Sequence, residues 1–150
     1  MSTEQQTESG WVRRYIDAWN SRDGSAVGGF FADDGVYTEV TLEERLEGPD
    51  AIREFVDGIV DSFSTDYSFT LGQVVETEDA FAFEWTMSGT NDRADAKRGL
   101  PSTRQRYEFT GVDIGRLSDG KMIENKSYWN LADYLTQVGL MPKQAEATQS

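Results

Sequence analysis

Residues Arg106 to Asn130 read RYEFTGVDIGRLSDGKMIENKSYWN. Two alternating runs flank Ser118-Asp119-Gly120, and an Asp-Gly pair in that setting signals a tight hairpin turn between antiparallel strands. Successive side chains of a strand point to opposite faces. One face of the first strand therefore carries Tyr107, Phe109, Gly111, Asp113, Gly115 and Leu117. One face of the second carries Ile123, Asn125, Ser127 and Trp129. The set is mostly apolar or small, as a core face is. Asp113 breaks it, and a carboxylate on an apolar face needs a partner or a task, because burying an unpaired charge is costly.

The remaining chain is read outward from that hairpin. Upstream, strands are expected over about Tyr67 to Glu76 and Ala80 to Gly89. In the latter, Phe81, Phe83, Trp85 and Met87 share a face. Gly48-Pro49-Asp50 opens a helix whose Ile52, Phe55, Val56, Ile59, Val60 and Phe63 form an apolar stripe at i, i+3, i+4 spacing. Before it, Val12, Tyr15, Ile16 and Trp19 lie on one face of a helix that ends near Asn20 to Asp23. A short helix holding Val27, Phe30 and Phe31 follows. Asp33-Asp34-Gly35 is read as a turn into a short strand, Val36 to Val40, in which Tyr37 and Glu39 share a face. Thr41 to Gly48 and Asn91 to Gln105 are read as charged or polar loops. Leu131 to Val138 is a closing helix capped by Asn130 and ended by Gly139. Residues 1–9 and 143–150 are expected to be loose polar tails around one domain, 10–142.

Helices grouped before a run of strands predict an α+β fold. The expected form is a cone-shaped, strongly curved antiparallel sheet with the N-terminal helices packed on its concave face. The interior of such a cone is a natural pocket.

Composition narrows the chemistry. The 150 residues contain neither cysteine nor histidine. Thiolate chemistry, disulfides and histidine bases are thereby excluded, and no metal site is expected. Acid–base work falls to Asp, Glu, Tyr, Lys or Arg. The formal net charge of −13 argues against nucleic acid and anionic membranes as partners. No apolar run is long enough to span a bilayer and the N-terminus is polar, so a cytoplasmic protein is expected. The acid excess fits both a salt-rich cytoplasm and an ordinary acidic surface.

Three oxygen-bearing side chains fall on the interior: Tyr15, Glu39 and Asp113. A carboxyl in a dry pocket has its pKa raised and can serve as a base near neutrality or remain protonated as a donor. A phenol and a neutral carboxylic acid can together steady an oxyanion. Each residue also has a plainer reading: a core tyrosine, an exposed strand-end acid, and a structural acid bonded to a neighbouring strand.

The segments YIDAWNSRD, FADDGVYTEV, GPDAIREF, AFAFEW and GVDIGRLSDGK, in this order from about Val12 to Trp129, resemble the ketosteroid isomerase branch of the nuclear transport factor 2-like superfamily. GLPST in the 91–105 loop and the ending ENKSYWNLADYLTQVGL resemble the SnoaL-like polyketide cyclases. Where those cyclases often carry an acid, this chain reads Asn125, Lys126 and Ser127, and the loop position often held by histidine is Asn91. The resemblance implies a cofactor-free isomerase or cyclase that moves a proton next to a carbonyl of a small apolar substrate. It implies Glu39 as the base and Tyr15 with a protonated Asp113 as oxyanion donors, a mechanism taken from ketosteroid isomerase itself. Trp19, Phe55, Ile59, Trp85, Met87, Phe109, Asn125, Ser127 and Trp129 are expected to line the pocket. The partners expected are a small apolar carbonyl-containing ligand and a second copy of the chain. That copy would pair through the outward face bearing Glu84, Thr86, Glu108 and Arg116. The alternative is a binding or dimerisation module of the same fold without chemistry.

Overall fold

The structure is a computed structural model that describes residues 10–142. The tails expected at 1–9 and 143–150 lie outside the described residues. Helix α1 (Trp11–Asn20) and the short α2 (Gly24–Gly28) are followed by β1 (Phe31–Glu39) and β2 (Glu44–Glu47). Helix α3 (Pro49–Ser62) leads into β3 (Ser68–Glu76), β4 (Ala80–Thr90), β5 (Arg106–Ser118) and β6 (Lys121–Trp129), and α4 (Leu131–Gln137) closes the series. The six strands form one curved, unclosed sheet in the order β2-β1-β6-β5-β4-β3, and the fold is α+β. All neighbours are antiparallel except β1 and β6, which run parallel.

Local chemistry explains the elements. Pro49 sits at the start of α3, where its missing N–H costs nothing. The Asn130 side chain accepts from the Asp133 N–H at 3.0 Å and caps α4. Asp119 and Gly120 adopt φ of 51° and 75°, the left-handed pair that a tight β5–β6 hairpin requires. Along β5 burial alternates without a break, and Tyr107, Phe109, Asp113 and Leu117 all face inward.

The core lies between that inner face and the helices. Val12, Tyr15, Ile16 and Trp19 of α1 and Ile52 and Val56 of α3 are buried against Phe81, Phe83, Trp85, Met87, Tyr107 and Phe109. The packing there is largely aromatic. The Tyr15 ring meets those of Trp11, Phe30, Phe31, Phe83 and Trp19 at centroid distances of 5.3–6.5 Å.

Four local readings need correction. The short second helix ends at Gly28, so Phe30 lies beyond it and Phe31 opens β1. Asp33-Asp34-Gly35 does not turn the chain; it lies inside β1, where the register against β6 shifts between Phe31 and Val36. A Cβ at Gly35 would stand 2.6 Å from the Met122 carbonyl oxygen, so the glycine serves close strand approach. The stretch Thr41 to Gly48 is not all loop, because β2 pairs with the end of β1. Ile123 is not the inward residue of β6. A register shift opposite Arg116/Leu117 turns Met122 inward instead, and Met122 is fully buried.

Candidate functional site

The sheet sets a row of side chains on its inner face. Glu39 of β1 pairs with Ser127 of β6, Ser127 with Asp113 of β5, and Asp113 with Phe83 of β4. Neighbouring strands are about 4.8 Å apart, so the two acids stand roughly 10 Å apart at Cα with Ser127 between them. Both are almost wholly shielded from solvent. They border a cavity of about 530 Å³ whose wall is mainly apolar and aromatic.

Asp113 is held by three donors. Trp85 Nε1 donates to Oδ1 at 2.8 Å, Asn125 Nδ2 donates to Oδ2 at 2.9 Å, and the Ser127 side chain also reaches the carboxyl. Trp85 can do this because Gly111 lies opposite it. A Cβ at Gly111 would come within 2.2 Å of the indole. Glu39 Oε1 accepts from Trp129 Nε1 at 2.9 Å, and the backbone N–H groups of Thr41 and Leu42 also bond to the carboxyl.

These surroundings decide the proton affinities. Burial pushes Glu39 up to about 7, against the pull of the Trp129 hydrogen bond, and the charge of Asp113 adds to the rise. Burial also raises Asp113, to about 6, while Asn125, Trp85 and Ser127 favour its charged form and hold it lower. Both acids are thus raised by burial and held back by three donors each.

Trp19, Phe55, Ile59, Trp85, Met87, Phe109, Ser127, Trp129, Glu39 and Asp113 all line the cavity. Asn125 and Tyr15 do not. Asn125 sits behind Asp113 as its donor, fully buried, with its own Oδ1 unpartnered. The Tyr15 hydroxyl is enclosed by the aromatic core, off the cavity, with the Trp19 side chain as its hydrogen-bonding neighbour. The phenol on the cavity is Tyr37, whose hydroxyl is hydrogen-bonded with that of Ser127. Burial first, and then the nearby charges of Asp113 and Glu39, push its pKa well above the usual value. Period-two alternation already placed Tyr37 beside Glu39, and that signal could have nominated it.

The cavity mouth was not legible in the same way. Ala94 to Arg98 and Leu100 of the 91–105 loop form part of the wall. The loop is held to β2 where Glu44 meets Lys97 at 2.6 Å and Arg98 at 3.1 Å, and Arg98 also meets Asp95 at 2.8 Å. Among the described residues, no group of three or more acidic side chains is placed to hold a metal ion. No described helix is long and apolar enough to cross a membrane.

Solved structures share this architecture. A ketosteroid isomerase-like protein from Catenulispora acidiphila, solved with trimethylamine, superposes with a TM-score of 0.76 at 18% identity, covering 87% of this chain and 93% of that one. A putative SnoaL-like polyketide cyclase from Jannaschia sp. gives 0.75 at 20% identity, covering 95% and 98%. A putative polyketide cyclase from Xanthomonas campestris gives 0.73 at 26% identity, covering 89% and 97%. No curated protein matches the chain in sequence. The family model of the SnoaL-like domain matches residues 12–125, most of the chain. With the curved sheet, the helices over it and the pocket between them, this chain belongs to the SnoaL-like domain family.

Proposed function

We propose that the cavity is the active site of a cofactor-free enzyme that moves a proton next to the carbonyl of a small, largely apolar compound, by isomerisation or aldol-type cyclisation. The observation that carries this reading is geometric: two buried carboxyls, Glu39 and Asp113, border one largely apolar hollow on either side of Ser127, and burial raises both toward neutrality. Two such carboxyls, each raised by burial and Glu39 further by the charge of Asp113, are set to hold one proton between them, and the three side-chain hydrogen bonds that favour ionised Asp113 leave that proton on Glu39, which supplies a base and an acid together. Asp113 takes the α-proton through a lone pair its donors leave free. The electron pair moves to the carbonyl oxygen, which Glu39 meets with a hydrogen bond or its proton. Return of a proton to carbon completes an isomerisation; attack of the enol carbon on a second carbonyl completes a cyclisation. The roles implied for Glu39 and Asp113 are exchanged in this reading, and Tyr37 replaces Tyr15 as the phenol beside them.

The test is exchange of α-hydrogens in deuterated water over a panel of small enones and β-keto esters, followed by NMR. Exchange above the protein-free rate, lost in Asp113→Asn, is the expected result. No exchange anywhere on the panel would favour a binding module instead.

The partner face is also a proposal. On the outer side of the sheet, Val112, Ile114 and Tyr128 are 40%, 49% and 44% exposed, and Val112 and Tyr128 are paired across β5 and β6. A second copy packed there would cover them. Light scattering should then give twice the chain mass, and Ile114→Lys should halve it.

A further inference from the structure

The charges around the cavity do not balance. Among the described residues, the cations on its wall are Lys97 and Arg98, and both are engaged by Glu44 and Asp95. Four further acids border the same space: Glu39 and Asp113 inside, and Glu54 and Asp61 at its exposed edge. The inner pair is met by neutral donors, indole, amide and backbone N–H groups and the Ser127 hydroxyl. A buried charge without a counter-charge is expensive, and the raised proton affinity of both acids reflects that cost.

The wall between those two acids is aromatic and continuous. The Phe109 ring stacks on Trp129 at 4.8 Å and 19° and meets Trp85 edge-on at 6.0 Å. Trp129 holds Glu39 and Trp85 holds Asp113. Each indole N–H is therefore turned to a carboxyl. Aromatic faces attract cations through the negative charge above the ring. A net charge of −13 draws cations toward the protein and repels anions.

We infer that the cavity selects ligands carrying an ammonium group on an apolar body, the cation seated against Trp85, Phe109 and Trp129 between the carboxylates of Glu39 and Asp113. The inference rests on the cavity being the ligand site and not on the proton transfer proposed above. It supplies what the site lacks, a positive charge that need not shed a tightly held water shell. It also excludes carboxylate and phosphate compounds as occupants, since nothing on the wall is free to pair with them.

Three probes of like shape separate charge from shape: phenyltrimethylammonium, its neutral isostere tert-butylbenzene, and benzoate. Binding is measured at pH 8 by ligand-observed NMR and by quenching of tryptophan emission. Phenyltrimethylammonium should bind at least tenfold more tightly than tert-butylbenzene, and benzoate more weakly than either. Glu39→Gln and Asp113→Asn should each weaken the cation about tenfold and leave tert-butylbenzene within twofold, which also shows that the variants keep the cavity. Equal or tighter binding of the neutral isostere, cation binding unchanged in both variants, or equal loss of both ligands in the variants overturns the inference. No turnover enters any of these readings, so absence of α-hydrogen exchange would leave the inference standing, and failed cation selection would leave the exchange result standing.

Discussion

The two ends of the cone are built from the same materials and do opposite things. At one end, Trp11, Tyr15, Phe30 and Phe81 fill the space between α1 and the sheet ring against ring. At the other end, Trp85, Phe109 and Trp129 stand on the same sheet face and border an opening. Aromatic content therefore does not mark the site. What distinguishes the hollow end is that it buries two acids and meets each with hydrogen-bond donors.

Truncation should expose the contrast most strongly. Phe81→Ala, in the filled end, should lose about 3–5 kcal/mol of stability, as large core truncations do. Phe55→Ala, on the cavity wall, should lose less than half of that, because space already lies beside it. Urea melts of the two variants measure the difference, and equal losses would erase the distinction between the ends. Next in size, Asp113→Asn should lower α-proton exchange by about 100-fold or more, the scale of removing a positioned catalytic group.

A smaller effect concerns pH. Glu39 has an ordinary pKa of 4.5 and about 7 in the folded protein. The folded state thus holds this proton longer than the unfolded state does. The stability linked to Glu39 is complete below about pH 4.5 and is lost as pH rises through 7. Glu39→Gln keeps an acceptor for Trp129 and removes the charge. It should raise stability by roughly 2–3 kcal/mol at pH 8 and by almost nothing at pH 4, in denaturant titrations at both pH values. A gain that is the same at both would mean Glu39 is not desolvated. Smallest of all, Tyr15→Phe should change stability by under about 1 kcal/mol and exchange by under threefold. The hydroxyl it deletes lies off the cavity with the Trp19 side chain as its hydrogen-bonding neighbour, and one neutral hydrogen bond contributes about 1 kcal/mol net. A large rate loss there would return Tyr15 to the reacting group.

What the sequence disclosed follows from which forces act locally. Alternation over β4 and β5 and the apolar stripe of α3 report burial directly, so those elements and the inward turn of Asp113 were legible. Asp33-Asp34-Gly35 carries every local sign of a turn, yet strand pairing absorbs it as an irregularity. The shift that puts Met122 inside in place of Ile123 depends on β5 across the hairpin, and no property of β6 alone encodes it. Likewise, Tyr15 read as the inward phenol, while Tyr37 was legible only as sharing a face with Glu39. Which of them meets open space was decided by how five other rings pack, a matter of tertiary fit.

The parallel seam between β1 and β6 has a consequence for how the molecule is made. Residues near position 38 pair locally with β2 on one side, but on the other their sheet neighbour comes only near position 126. During synthesis the first strand must wait unpaired on that side while nearly the whole polypeptide leaves the ribosome, and such long-separated pairings form slowly. Glu39 meets Ser127 across that seam. The hollow is accordingly among the last parts of the nascent protein to take shape, and a truncated translation product stalled before residue 121 would lack it.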